Sequence, residues 1–382
     1  MHPQARNINH LQAPFTENKR DNGFGFGPSL GPVRASSSIW THVGPVSRER
    51  TVTCSYAHAR ARAHLSVFVQ RSAALKGAVD LDLFTVIDNG ASTAADIAAK
   101  LQCTARAVRM LSDFLAVHGL LTKEHDRYGL TPTSKQFLSK NSRAYMGSMV
   151  GFLMHPHLKQ NFEDIAATVR RGGPPVGSLI EEEAVWVEFA RAMAPMAYMS
   201  AEKTAEALQR EGASKAVLDI AASHGLFGIA VARRNPEARI TAVDTAQVLE
   251  VARENAVHAG IANRHRLLPG SAFEVDFGSG YDLSLVTNFI HVFDRDTNIT
   301  LLKRIRAAMA PGARIAIVEF VPNEDRVSPP AAGDFALTML VNTRGDTYTF
   351  TELNEILGAA DFRDARLESL APVPQQLVIA RC

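Results

Sequence analysis

The run from Ala216 to Asp244 constrains this chain more than any other. Ala216-Val-Leu-Asp-Ile220 is a short apolar strand, and Ala221-Ala-Ser-His-Gly225 is a tight turn of small residues. Leu226 to Arg234 follows as a helix, and Arg239-Ile-Thr-Ala-Val243 as a second strand with Asp244 at its tip. Strand, helix, strand in that order predicts a βαβ unit and an open sheet covered by helices. Small residues in the turn let the backbone approach a ligand closely. The helix N-terminus behind the turn favours a negative group. An acid at the tip of the second strand is placed to bind both hydroxyls of a ribose, in the crevice where such a sheet receives its ligand.

That arrangement is common to nicotinamide-dinucleotide-binding and adenosylmethionine-binding domains, so the remaining elements decide between them. Gln247 to Ala259 reads as a helix and Arg264 to Leu268 as the third strand, followed by Gly270-Ser-Ala-Phe273. Tyr281 to Asn288 is the fourth strand, Asp296 to Met309 a helix closed by Ala310-Pro-Gly312, and Arg314 to Phe320 the fifth strand. After a helix over Phe350 to Ala359, two strands close the chain, Asp364 to Leu370 and Gln376 to Ala380, separated by Pro372 and Pro374. A terminal hairpin at the sheet edge marks the adenosylmethionine version. The predicted fold is α/β: a Rossmann-like seven-stranded sheet over residues 213–382.

Upstream, the 382 residues allow a second domain. Residues 1–58 are rich in Gly, Pro, Ser, Asn and Arg without an apolar period, and read as a disordered tail. A transit peptide fits the Arg/Ser content but not Glu17, Asp21 and Glu49. Over 59–145 helical spacing sets in at Leu65, Val69, Ala73, Leu75 and Val79. Thr93, Thr104 and Thr131-Pro132 mark helix starts. A hairpin turns at Glu124 to Arg127. Helices followed by a hairpin make a winged helix. The helix in the recognition position offers only Arg106 and Arg109, and the wing carries Glu124 and Asp126 beside Lys123 and Arg127. DNA binding needs clustered basic charge, so dimerisation is the better reading of this helical domain. Residues 146–212 are a helical linker rich in Met and aromatic residues, a composition of cores and of adaptable apolar pockets. His155 and His157 there read as surface or pocket-rim residues.

Composition narrows the class further. Apolar residues are 46%, charged residues 21% and the net charge is +2, so no overall field points to nucleic acid or membrane. Cys54, Cys103 and Cys382 are too scattered for a disulfide framework or a zinc site, which suits the cytoplasm.

From about Ala59 to Cys382 the chain resembles the small-molecule O-methyltransferases that carry an N-terminal winged-helix dimerisation domain, the caffeate and acetylserotonin type. Val217-Leu-Asp-Ile-Ala-Ala-Ser-His-Gly225 is similar to that family's VLDVGGGHG motif. Ile290-His-Val-Phe-Asp-Arg-Asp296 is similar to LHDWSDE, and Met309-Ala-Pro-Gly-Ala-Arg-Ile-Ala-Ile-Val-Glu319 to LKPGGRLLIVE. The resemblance implies S-adenosylmethionine as cofactor, a small-molecule acceptor with an aromatic or polyketide-like hydroxyl, a homodimer and no metal.

Residue by residue, the resemblance implies that Asp219, Ala221, Ser223 and Gly225 frame the methionine end of the cofactor. Asp244 would take the ribose, Ser271, Ala272 and Phe273 the adenine, and Asn288 would lie beside the cofactor. His291 matches the catalytic base and Glu319 its first carboxylate partner. The second carboxylate falls in Arg344-Gly-Asp-Thr-Tyr-Thr349, where Thr347 aligns with it and Asp346 is the substitute. Further departures are Ser271 for Asp, Thr287 for Lys and Asn288 for an aromatic. They leave open C- or N-methylation, or cofactor binding without transfer. A ligand-responsive DNA-binding regulator is the third reading.

Overall fold

A computed structural model of the chain describes residues 69–175 and 183–382. The reading of residues 1–58 as a tail lies outside the described residues, as does the start of the first helix.

The described chain begins with α1 (residues 69–80), α2 (Leu83–Asp88), α3 (Ala94–Leu101) and α4 (Ala105–Val117). The hairpin of β1 (Leu121–Glu124) and β2 (Arg127–Leu130) leads to α5 (Pro132–Leu138). Thr93 and Thr131 start α3 and α5 with reciprocal capping boxes, and Thr104 caps α4. Each such cap supplies an acceptor for a backbone N–H that the helix cannot satisfy, worth about 1 kcal/mol. Leu83, Phe84, Ile97, Val108 and Leu115 close a core of their own. On its surface Asp113 accepts hydrogen bonds from Arg109, Lys123 and the Tyr128 hydroxyl, so the hairpin is tied to α4.

Four helices follow: α6 (Gly147–Leu153), α7 (Pro156–Asn161), α8 (Ile165–Arg171) and α9 (Glu183–Arg210). Phe152, Val185 and Ala192 are buried together, with Leu158, Phe189 and Met193 packed against them. Trp186, Tyr198 and Met199, in contrast, are exposed. His155 is half-buried, and the side chain of His157 lies outside the described residues.

The last part is the sheet. In chain order it comprises β3 (Ala216–Ile220), α10 (Leu226–Arg234), β4 (Arg239–Asp244), α11 (Ala246–His258), β5 (His265–Pro269) and β6 (Tyr281–Thr287). It continues with α12 (Arg295–Ala308), β7 (Met309–Glu319), α13 (Pro330–Asn342), α14 (Phe350–Ala359), β8 (Arg363–Ser369) and β9 (Gln376–Arg381). The strand order is β5-β4-β3-β6-β7-β9-β8. All pairs are parallel except those made by β9, which runs antiparallel to β7 and β8. The Rossmann-like seven-stranded fold predicted from the sequence is therefore observed.

The strands are apolar on both faces because helices cover both. Leu218, Ile220, Val286, Ile315 and Ile317 pack with Leu301, Ile305 and Ile356 of α12 and α14. Val217, Leu283, Leu285 and Val318 pack on the other side with Ala205, Leu208 and Phe227 of α9 and α10. Each large side chain so buried contributes about 1.5–3 kcal/mol. Arg314 of β7 is buried among them and donates to Leu208 O, Gly212 O and Ser214 Oγ, which anchors the end of α9 to the sheet.

Two elements differ from the sequence reading. Residues 309–313, read as the end of a helix and a turn, belong to β7; Met309 pairs with Tyr281 across a register shift, and this bulge absorbs the extra residues. Helix α13 was not anticipated: the Pro329-Pro330 pair reads as a breaker, but Pro330 starts the helix at the position where a missing N–H costs nothing.

Candidate active site

The strand order reverses between β3 and β6, and there the carboxyl ends of neighbouring strands send their loops apart and open a crevice. The predicted residues gather at this end of the sheet. Asp219, Ala221, Ser223 and Gly225 follow β3, Asp244 ends β4, Ser271 to Phe273 follow β5, Asn288 and His291 follow β6, and Glu319 ends β7.

The turn after β3 is shaped by its backbone. Ala221, Ser223 and Gly225 all take left-handed φ values, 50°, 53° and 72°. A Cβ on Gly225 would stand 2.9 Å from the Ala252 Cβ, so the turn lies directly on α11. The Asp244 carboxylate accepts from Ser223 N at 2.9 Å and from Thr245 N at 2.8 Å. Burial raises its pKa above the ordinary carboxylate value. Asp219 is buried beneath the turn; one oxygen accepts from Gly228 N at 3.1 Å and the other has no partner. Burial pushes its pKa up to about 7. His224 and His265 are buried as neutral rings, both pushed down to about 4 by desolvation.

After β5, Ser271 Oγ accepts from Phe273 N, and Arg304 of α12 donates to Ala272 O and Val275 O. Phe273 meets Phe293 edge to face at 5.1 Å, and Phe293 meets Phe289 at 4.9 Å. Asn288 takes φ 50°, donates its N–H to Val318 O at 2.8 Å, and leaves its side-chain oxygen buried without a partner.

His291 lies on a single 3-10 turn, Ile290–Val292, and is buried. Its Nδ1 is 2.6 Å from Glu319 Oε2, and Glu319 Oε1 accepts from Phe289 N at 2.8 Å and His291 N at 3.4 Å. A carboxylate at Nδ1 calls for a proton there, which leaves Nε2 as the lone-pair nitrogen. Phe335 of α13 meets the imidazole edge to face at 4.7 Å and stacks near Phe320.

Asp346 and Thr347 line a small void with His291, Glu319, Phe320 and Tyr348. The Asp346 carboxylate is exposed, faces Arg326 at 3.5 Å and accepts from Thr347 N at 2.7 Å. The bond to the imidazole is made by Glu319. Sequence reasoning missed Asn298, Phe320, Phe335, Tyr348 and the two phenylalanines flanking the turn, Phe289 and Phe293. Tyr348 donates to Phe293 O at 2.6 Å, and burial pushes its phenol up to about 12.

Comparison with known proteins agrees with this geometry. The model of the O-methyltransferase domain matches residues 164–363, and that of the O-methyltransferase dimerisation domain matches residues 63–140. The chain belongs to the O-methyltransferase family. A solved structure from Nostoc punctiforme PCC 73102, assigned provisionally as an O-methyltransferase, superposes on this family member with a TM-score of 0.80 at 44% identity. It covers 83% of this chain and 97% of its own. The 3-hydroxy-5-methyl-1-naphthoate 3-O-methyltransferase of Streptomyces sahachiroi is 24% identical over 80% of this chain and 90% of its own length. Human N-acetylserotonin methyltransferase, solved in complex with S-adenosylmethionine, shares the fold with a TM-score of 0.73 at 21% identity, over 89% of this chain and 99% of that one.

As an O-methyltransferase of this family, the chain takes its methyl group from S-adenosylmethionine. The crevice fits that cofactor. Asp219 Oδ1, Ser223 Oγ, Thr245 Oγ1 and Asn288 Oδ1 are buried there without partners. Such groups normally find one, and an amine and ribose hydroxyls are the donors that carboxylate, hydroxyl and amide oxygens accept.

Proposed function

We propose that this methyltransferase methylates a hydroxyl of a small aromatic or polyketide-like acceptor, with His291 as general base and Glu319 as its partner. The reading rests on the 2.6 Å bond between His291 Nδ1 and Glu319 at the crevice end of the sheet.

Bound S-adenosylmethionine supplies an electrophilic methyl group on a sulfonium. Asp219, Ala221, Ser223 and Gly225 would frame its methionine end, Asp244 would accept from the ribose, Ser271 to Phe273 would flank the adenine, and Asn288 would lie beside the cofactor. The acceptor hydroxyl has a pKa near 10 if phenolic, so it is a poor nucleophile at neutral pH. His291 Nε2 takes its proton as the oxygen forms its bond to the methyl carbon and the carbon–sulfur bond breaks. Glu319 stabilises the imidazolium, which then returns the proton to solvent. Fixing acceptor and methyl group in line supplies much of the rate.

Phe335 meets the His291 imidazole at 4.7 Å and packs on Phe320, and the two rings offer an apolar wall suited to a planar acceptor. The naphthoate acceptor in the name of the Streptomyces relative is of that kind. Residues 59–145 serve as the dimerisation domain of a cytoplasmic homodimer, 146–212 as the linker and pocket segment, and 213–382 as the catalytic domain. Asp346, paired with Arg326, tunes the charge near the site. No helix among the described residues is long and apolar enough to cross a membrane. Arg109 and Lys123 are both paired with Asp113, which weakens the DNA-binding reading of the wing.

The test is transfer of a labelled methyl group into a panel of phenols, aromatic amines and carbon nucleophiles, with the product located by mass spectrometry and NMR. Methyl ethers are expected, and His291→Ala lowers their formation by about 10²–10⁴. Methyl found only on carbon or nitrogen, or a fully active His291→Ala, overturns the reading.

A further inference from the structure

We infer that Tyr348 and Asn298 are positioning residues for methyl transfer: they fix the turn that carries His291 from the side opposite Glu319, with Gly345 as the contact surface. The inference rests on His291 being the base.

A single 3-10 turn has little rigidity of its own, since its hydrogen bonds are few and poorly aligned. This one is tied from outside. Asn298, buried in the first half of α12, donates through Nδ2 to Ile290 O at 2.9 Å and to Phe293 O at 3.1 Å. The Tyr348 hydroxyl, just ahead of α14, donates to the same Phe293 O at 2.6 Å. The carbonyls on both sides of His291 are thus held by two side chains from different elements. Glu319 holds the other pole of the turn, through Phe289 N, His291 N and His291 Nδ1.

Gly345 closes the remaining direction. A Cβ at that position would stand 2.0 Å from His291 O and 2.7 Å from Phe293 N. Both atoms belong to the backbone, so no side chain can swing away to admit it, and the turn itself would have to move. The imidazole is consequently located by α12, the 343–348 segment and the end of β7. None of these three contacts involves the turn after β3 that frames the methionine end of the cofactor. A group held in this way is in place before either substrate arrives, and a displacement of about 1 Å costs about 10² in rate.

The experiment compares wild type, Tyr348→Phe, Gly345→Ala and His291→Ala by kcat and KM for the acceptor and by calorimetric affinity for S-adenosylhomocysteine. Tyr348→Phe keeps the ring and removes only the donor. It should lower kcat about tenfold with S-adenosylhomocysteine affinity within about twofold of wild type. Gly345→Ala should lower kcat about 10²-fold, again with affinity for S-adenosylhomocysteine retained, which also shows that the variant is folded. If Tyr348→Phe keeps the wild-type kcat while His291→Ala is inactive, the inference fails and the assignment of the base stands. If Tyr348→Phe loses kcat and S-adenosylhomocysteine affinity in parallel, its role is structural and the inference fails. If His291→Ala is fully active, the assignment of the base fails, and the inference with it.

Discussion

Above β3 and β4 the chain leaves buried oxygens of Asp219, Ser223 and Thr245 without partners, as it does Asn288 Oδ1 at the end of β6, whereas the turn that carries His291 has Ile290 O, Phe293 O, the Phe289 and His291 amides and the imidazole Nδ1 bonded from two sides. The first set of groups is open to a ligand; the turn is held without one. A crevice with unmet acceptors gains free energy when amine and hydroxyl donors arrive, because each buried group left unpaired costs about 1–3 kcal/mol. His291, the proposed base, gains nothing from reorganising at that moment, and catalysis favours groups already in place. On the proposed assignment, affinity falls to one side of the site and rate to the other.

The largest expected effect tests the rate side. Glu319→Gln keeps the shape but removes the charge that stabilises the imidazolium, and kcat should fall about 10²–10³-fold while S-adenosylhomocysteine affinity stays near wild type. A matching loss of affinity, measured by calorimetry, would erase the division between the two regions. The next effect concerns the packing behind the turn after β3, where His265 Nε2 lies 3.4 Å from the Cβ position of Gly225. His265 protonates near pH 4 in the folded chain and near 6.5 when unfolded. Between those values the unfolded state binds more protons, so stability falls as the pH drops. For His265 the loss is at most about 3 kcal/mol. Asp219, raised to about 7, titrates in the opposite sense and loses its contribution as the pH rises. The histidine effect is therefore read as a difference: His265→Leu should flatten the acid limb of Tm against pH relative to wild type, and an unchanged slope would refute it. The smallest effect lies on the affinity side. Asp244→Asn should weaken S-adenosylhomocysteine binding about 10–10²-fold while kcat at saturation changes about twofold or less. A collapse of kcat at saturation would show that the crevice also sets the rate.

Much of this was legible in the residues. The apolar runs predicted every strand of the sheet to within about a residue at each end except the start of β7, and Thr93, Thr104 and Thr131 marked the helix starts that the structure caps. These signals are local, since each depends on neighbours a few positions away. Asp244 came from its place at the tip of the second strand, and His291 and Glu319 from ordered resemblance over the chain. Tyr348 was invisible because its partner, Phe293, is 55 positions away and is engaged through a backbone carbonyl, which carries no residue identity. Phe335 was missed with its helix, although the apolar spacing of Ala332, Phe335 and Met339 after Pro330 was a usable signal. Asp346 shows the reverse case. The resemblance offered a carboxylate at this place in the chain, and the fold sets it on the void beside His291 and Glu319 with Arg326 3.5 Å away, a neighbour no local signal announces.

The turn after β3 bears on how freely such a site can drift. At Ala221 and Ser223 an L-residue is held in a conformation that costs about 1–2 kcal/mol over its relaxed form. A glycine there would escape that cost, but it would enlarge the conformational freedom of the unfolded chain by about 0.4–1 kcal/mol. The second term offsets about half of the first. The loop therefore carries alanine and serine in place of glycine at a net cost of about 0.5–1 kcal/mol at each position, and each such residue trims the span of conformations open to it before the cofactor arrives.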